Sequence, residues 1–293
     1  MKIKPLSVLA LSTVVLGACS SATKHTDSSK AKTEQTAKQV EKEPSVDEKV
    51  TKDAKILLDA VLSKDSVKFR KIYGETYDKW SDDIIAVQTN ERINDDGLKP
   101  ASAYTVQWHK DFPIETPEET ISGFLKVRRK MFQDIGSYSI KDVKVDKSGD
   151  SATVTFTSKK LHSKGLAGST REVLTTVLGG LDNLAKYNTA GADVDVKRYQ
   201  KLITYWIFEH LFTKQFSIYK DVDASLAQTP FTSGEFDTEI KLTKDKDDNW
   251  VISQEDYQTL TSELIDDTES YDTIVRANST TTKTQKTQDK DSV

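Results

Sequence analysis

The chain has 293 residues, with 42 Lys and Arg against 46 Asp and Glu, a formal net charge of -4. That balance argues against a nucleic-acid partner and against general adhesion to anionic lipid, both of which need a basic surface. A single cysteine, Cys19, excludes an intrachain disulfide.

The chain opens with Lys2 and Lys4, followed by an uncharged run, Pro5 to Ala18, that holds Leu6, Val8, Leu9, Leu11, Val14, Val15 and Leu16. A short basic start and an apolar stretch of this length read as a secretory signal, too short for a membrane-spanning helix. An ordinary signal peptidase cut after Ala18 would put Leu16 where a small residue is needed, and a cut after Ala22 lies well past the apolar run. Leu16-Gly17-Ala18-Cys19 instead resembles the bacterial lipobox, which implies a diacylglyceryl group on the Cys19 sulfur and cleavage between Ala18 and Cys19. Two acyl chains (palmitate is the expected kind) hold stably where one would hold only marginally, at about 0.8 kcal/mol per buried methylene. A buried, free Cys19 is the alternative; Ser20 to Lys38 supplies nothing to bury it against. Removing residues 1–18 takes away two lysines and no acid, and moves the net charge from -4 to -6. The expected location is the outer face of the cytoplasmic membrane of a Gram-positive bacterium, with the bilayer as first partner through Cys19.

Residues 19–46 form the lipidated cysteine and a Lys-, Thr-, Ser- and Glu-rich tether too polar to offset its ordering entropy. As a random coil of roughly 27 residues it reaches about 30 Å. Residues 47–275 are the expected globular domain, and 276–293 a disordered polar tail. The first helix is expected from Asp47, with Val50, Ala54, Leu57, Leu58 and Val61 at helical spacing. Asp65 or Ser66 is expected to cap a second, short helix that stops at Gly74. A third runs from Tyr77 to about Val87, and a strand is possible over Tyr104 to Trp108. Thr116-Pro117-Glu118-Glu119 is a capping box with Pro at the first helical position; the helix carries Ile121, Phe124, Leu125, Met131 and Phe132 and ends at Gly136.

A hairpin follows, 138–145 and 151–158 around the turn Asp146 to Asp150. Gly165 to Thr170 reads as a loop into a second capping box, Ser169 to Glu172, whose helix runs past Gly179-Gly180 to Leu184. Asp195 starts a longer helix with Tyr199, Leu202, Ile203, Trp206, Ile207 and His210 on one face. A second hairpin follows. Its first strand alternates from Glu235 to Leu242, and the turn Lys244 to Asn249 leads into Trp250-Val251-Ile252. A last helix carries Tyr257, Leu260 and Leu264. The fold class is therefore α+β: an antiparallel sheet of two or more hairpins packed on several long amphipathic helices.

The opening helix pair, Ala54 to Gly74, taken with the late hairpin ending in Asp247-Asp248-Asn249-Trp250-Val251-Ile252, resembles the nuclear-transport-factor-two-like superfamily and Gram-positive lipoproteins of unassigned function. The resemblance implies a curved antiparallel sheet wrapped around helices as a cone. It implies no activity, since that fold hosts enzymes and binders alike.

The search for chemistry returns little. His25, His109, His162 and His210 are scattered, with no zinc-site spacing, so no metal, cofactor or catalytic residue is assigned. Glu209-His210 could be half of an acid–base pair; a hydrogen-bonded core histidine is the competing reading. Asp245, Asp247 and Asn249 sit at the first three ligand positions of an EF-hand loop, but Trp250 stands where that loop needs Gly. Ser217 to Lys220 and Ser21 to Lys24 match Ser-x-x-Lys without the companion motifs. The stripe Trp206, Phe208, Phe212 and Phe216 could line a cavity or fill a core. The leading expectation is a membrane-anchored module that binds an envelope protein, a wall fragment or an apolar ligand. The alternatives are an enzyme with a pocket in the cone, and a precursor whose segment Leu11 to Ala18, similar to enterococcal pheromone octapeptides, signals after release.

Overall fold

The computed structural model describes residues 44–110, 112–191, 194–213 and 223–276. The chain divides into two units, Met1–Glu43 and Pro44–Val293, and every described residue belongs to the second.

Helix α1, Val46–Leu62, starts where local chemistry starts it. The Ser45 hydroxyl accepts from the Glu48 amide at 3.3 Å, and the Glu48 carboxylate accepts from the Ser45 amide at 2.7 Å, two orphan donors satisfied reciprocally. Its apolar face, Val50, Ala54, Leu57, Leu58 and Val61, is fully buried. Helix α2, Phe69–Tyr73, stops at Gly74 with φ +78°, the left-handed cap that glycine adopts without strain. Its N-cap is Lys68, with no side-chain cap bond, so neither Asp65 nor Ser66 caps it. Helix α3, Tyr77–Asp95, runs two turns beyond Val87, because Thr89 and Ile93 continue its buried face.

Helix α4, Pro117–Gln133, has the expected capping box: Glu119 accepts from the Thr116 amide at 2.8 Å while Thr116 accepts from the Glu119 amide. The expected strand at Tyr104 to Trp108 is reduced to one antiparallel bridge, Val106 to Glu115.

Strands β1, Tyr138–Val145, and β2, Ser151–Ser158, form the first hairpin. The Asp146 carboxylate organises its turn, accepting from the Gly149 amide at 2.8 Å and the Ser151 hydroxyl at 2.8 Å. Two-residue β3, Leu161–His162, leads directly into α5, Ser163–Thr176. This corrects the reading of Gly165 to Thr170 as a loop. The N-cap is His162, whose Nδ1 accepts from the Gly165 amide at 3.1 Å, and Ser169 and Thr170 lie buried inside the helix. Gly179 and Gly180, both at positive φ, stop α5, and Leu181–Tyr187 forms a separate 3-10 turn.

Helix α6, Val196–Thr213, follows. Then come β4, Pro230–Phe231; β5, Phe236–Lys244; β6, Trp250–Val251; α7, Gln254–Glu263; β7, Ile265–Asp266; and β8, Val275–Arg276. Sheet order is β1-β2-β5-β6, all antiparallel, and β7-β3-β4-β8, with β3 and β7 parallel. Arg276 pairs with Pro230 in the second sheet, so the fold runs one residue past the expected start of the tail. In β2 and β5, Ala152, Val154 and Phe156 stand opposite Leu242, Ile240 and Thr238. That register puts all six on one buried face. The architecture is α+β.

Two apolar clusters form the interior. One joins α1 to the larger sheet around Trp250, Phe156 and Leu57. The other lies among α3, α4, α6 and the 3-10 turn, around Trp206, Tyr199 and Leu98. Phe124 and Phe212 pack against both. No helix among the described residues is long and apolar enough to cross a membrane.

Candidate functional site

The second cluster contains a group that apolar packing does not require. The bridge at Val106 fixes the backbone of Glu115 through a donated and an accepted bond, each 2.9 Å, and Thr116 then caps α4. The Glu115 side chain points toward α6. Its Oε1 accepts from Trp206 Nε1 at 3.2 Å and lies 3.1 Å from His210 Nε2; its Oε2 accepts from the Thr120 hydroxyl at 3.3 Å. His210 Nδ1 sits 3.0 Å from the Trp206 carbonyl. A carbonyl only accepts, so Nδ1 carries a hydrogen and Nε2 is the nitrogen turned to the carboxylate.

Glu209 completes the group. Ligating atoms of Glu115, Glu209 and His210 all lie within 4.8 Å of one another. Glu209 Oε2 is shielded from solvent and has no hydrogen-bond partner. It rests against Gly123 of α4, where a Cβ would stand 2.0 Å from that oxygen. A Cβ there would make the carboxylate, the mobile end of the Glu209 side chain, move aside.

Electrostatics follow from burial. Desolvation, then the charge of Glu115, pushes the Glu209 carboxyl up to about 7. Desolvation alone would lower the His210 imidazole. The hydrogen bond and charge of Glu115 outweigh it and hold the ring's proton above the ordinary histidine range.

A stack of rings leads from this group outward. The His210 ring lies 4.4 Å from Trp206, Trp206 lies 6.2 Å from Trp108, and Trp108 lies 5.2 Å from Tyr187. Trp108 and Tyr187 wall a groove of about 680 Å³ that also presents Gln107, Lys110, Lys186 and Thr189. A second groove, about 910 Å³, takes Thr105 and Thr116 from the same segment.

The other sequence candidates lie apart. Asp245 accepts from the Asp247 and Asn249 amides, each at 2.9 Å, which makes Asp245 to Asn249 a hairpin turn closed on itself. His162 is fully buried at the α5 cap, its Nε2 3.0 Å from the Ser270 carbonyl. Phe208 packs on Phe124 at 4.8 Å and on Phe212 at 4.9 Å, in the core. Ala18 and Cys19, the segment Leu11 to Ala18, His25, Phe216 and both Ser-x-x-Lys matches lie outside the described residues.

Of the pair Glu209-His210, the histidine is indeed buried and hydrogen-bonded, and it also faces two carboxylates. Glu115 was not legible as its partner, because the contact spans the chain from α4's entry to α6. One signal was present: Gly123 stands alone in a strong helical pattern, where glycine implies close approach by another group.

No family model matches the chain, and no curated protein matches it. A solved structure similar to it is a "putative lipoprotein (ycdA)" from Bacillus subtilis, at 16% identity, covering 75% of this chain and 56% of that chain, with a TM-score of 0.44. The alignment thus spans little more than half the length of that protein. At this identity and TM-score, the likeness carries no argument about function.

Proposed function

We propose that this chain is a lipid-anchored extracellular protein that binds a wall fragment at the cell envelope. The observation that carries the anchor is Leu16-Gly17-Ala18-Cys19 behind a basic start and an apolar run. The first described helix starts at Val46, capped by Ser45, and residues 19–46 are read as the lipidated cysteine and a tether with a reach of about 30 Å. That reach lets the domain meet material held off the membrane.

Support for a polar ligand comes from the groove at Trp108, whose half-buried ring, stacked on the buried Tyr187, stands beside amide, ammonium and hydroxyl groups. Such a surface suits a saccharide or peptide with both an apolar face and hydrogen-bonding edges. An apolar ligand has less to recommend it, since Phe208 and Phe212 are used in packing among the described residues. The nuclear-transport-factor-two-like reading belongs with this proposal and is supported by an antiparallel sheet, β1-β2-β5-β6, packed against α1.

A second reading, an enzyme, is favoured by one observation, the convergence of two carboxylates and an imidazole at Glu115, Glu209 and His210.

The test has two arms. Cys19→Ala should move the protein from the membrane fraction to the medium or the soluble fraction, and the wild-type chain should co-sediment with purified insoluble walls. Unchanged fractionation of the variant would contradict the anchor, and absence from the wall pellet would contradict the ligand class.

A further inference from the structure

We propose that Glu115, Glu209 and His210 bind a divalent transition-metal cation, with zinc the best match. The inference does not rest on the anchor or on the wall ligand, and its test touches neither.

The donor set comes first. One imidazole nitrogen and two carboxylate oxygens lie within 4.8 Å of one another, with His210 Nε2 already 3.1 Å from Glu115 Oε1. Bonds of about 2.0–2.2 Å to a tetrahedral zinc bring neighbouring ligand atoms to roughly 3.3–3.5 Å. The His210–Glu115 spacing is close to that, and Glu209 closes the remainder by a small side-chain movement. A nitrogen donor among oxygens suits zinc and its first-row neighbours; calcium and magnesium prefer oxygen alone.

The supporting contacts are those a metal site needs. The Nδ1–H of His210 faces the Trp206 carbonyl at 3.0 Å, which directs Nε2 into the site. Trp206 Nε1 and the Thr120 hydroxyl hold the two Glu115 oxygens. Among the described residues, two carboxylates converge on the His210 imidazole, and the charge of Lys126 also acts on Glu209.

Two independent observations point to an occupant. Glu209 Oε2 is out of contact with solvent and accepts no hydrogen bond, a costly state for a carboxylate oxygen. Gly123 is shaped around that oxygen, since any Cβ there would meet it at 2.0 Å. The chain gives up helix propensity in the middle of α4 beside a carboxylate whose Oε2 has no donor among the described residues. A bound cation supplies the missing partner. Three protein ligands leave a fourth position for water or for a ligand atom. The Glu115 side chain is 15% exposed, so an ion can enter.

The experiment uses the full chain, stripped with chelator and titrated with zinc chloride by calorimetry. Cobalt(II) is added in parallel as a spectroscopic probe, and X-ray absorption is recorded on the zinc form. One zinc per chain is expected, with imidazole scattering in the absorption spectrum and a visible cobalt band that zinc displaces. Glu209→Gln keeps side-chain shape and His210→Gln keeps a polar side chain of similar reach; each should weaken zinc at least tenfold. Gly123→Ala replaces no ligand residue and favours helix; its Cβ would push the Glu209 carboxylate aside, so it should fold while weakening zinc to a similar degree. Wild-type protein that shows no heat, no cobalt band and no imidazole scattering would overturn the proposal, whatever the variants do. So would zinc binding equal to wild type in folded Gly123→Ala and Glu209→Gln.

Discussion

A carboxylate taken out of water must keep a proton, pair with a cation or accept hydrogen bonds. Glu209 has one buried oxygen without a hydrogen-bond partner among the described residues, and its carboxyl accordingly keeps its proton up to about 7, through burial first and the charge of Glu115 second. The consequence for stability has a definite sign. In the unfolded chain a glutamate ionises near 4.3, so between about pH 4.3 and 7 the folded state keeps a proton that the unfolded state releases. The stabilisation from that proton is complete below about pH 4.3 and is lost as pH rises through about 7. Glu209→Gln removes the dependence. Urea unfolding with chelator present, at pH 5 and pH 8.5, should show the wild type losing about 1–2 kcal/mol relative to Glu209→Gln, a figure already discounted for solvent screening. Parallel pH dependences would contradict the assignment.

Among the elements, α4 shows best how local chemistry places the site. Thr116 caps the helix through the Glu119 amide, and Glu119 returns a bond to the Thr116 amide; the residue just outside this box is Glu115. Thr116→Ala should destabilise the protein by about 1 kcal/mol, while Thr116→Ser should sit within a few tenths of wild type in a urea midpoint. The cap was readable because it depends on four consecutive residues. The same signature misleads at Ser169 to Glu172, which lies inside α5. There Gly165 packs against Pro230 and Gly168 against Tyr271, with a Cβ at 2.8 Å and 2.7 Å respectively. These glycines look like a loop in the sequence because their reason, the close crossing of distant segments, is tertiary. The same limit applies to β3, β4, β7 and β8. A two-residue strand has no periodicity to read, and its pairing is set by chain far away. The two hairpins were legible because each has alternation and a turn between its strands.

At the scale of the whole molecule, the anchor and the fold are separate physical problems. The signal and lipobox proposed for residues 1–19 rest on charge, apolar length and small residues, a reading that needs no tertiary contact. Ser45 starts a unit held by two apolar clusters joined through Phe124 and Phe212. Its helical and strand faces were legible, but the convergence of Glu115 on His210 was not. An address written in a few residues and a site assembled across α4 and α6 imply different fates for mutations. Changes before Cys19 should alter location and leave the fold intact, whereas changes in the second cluster should do the reverse. The central claim is that Cys19 carries the membrane anchor. Mass spectrometry of the N-terminal fragment of protein purified from its native membrane tests it most directly. The account predicts a mature terminus at Cys19 that carries a diacylglyceryl group. A terminus at Thr23, or an unmodified Cys19, would contradict it.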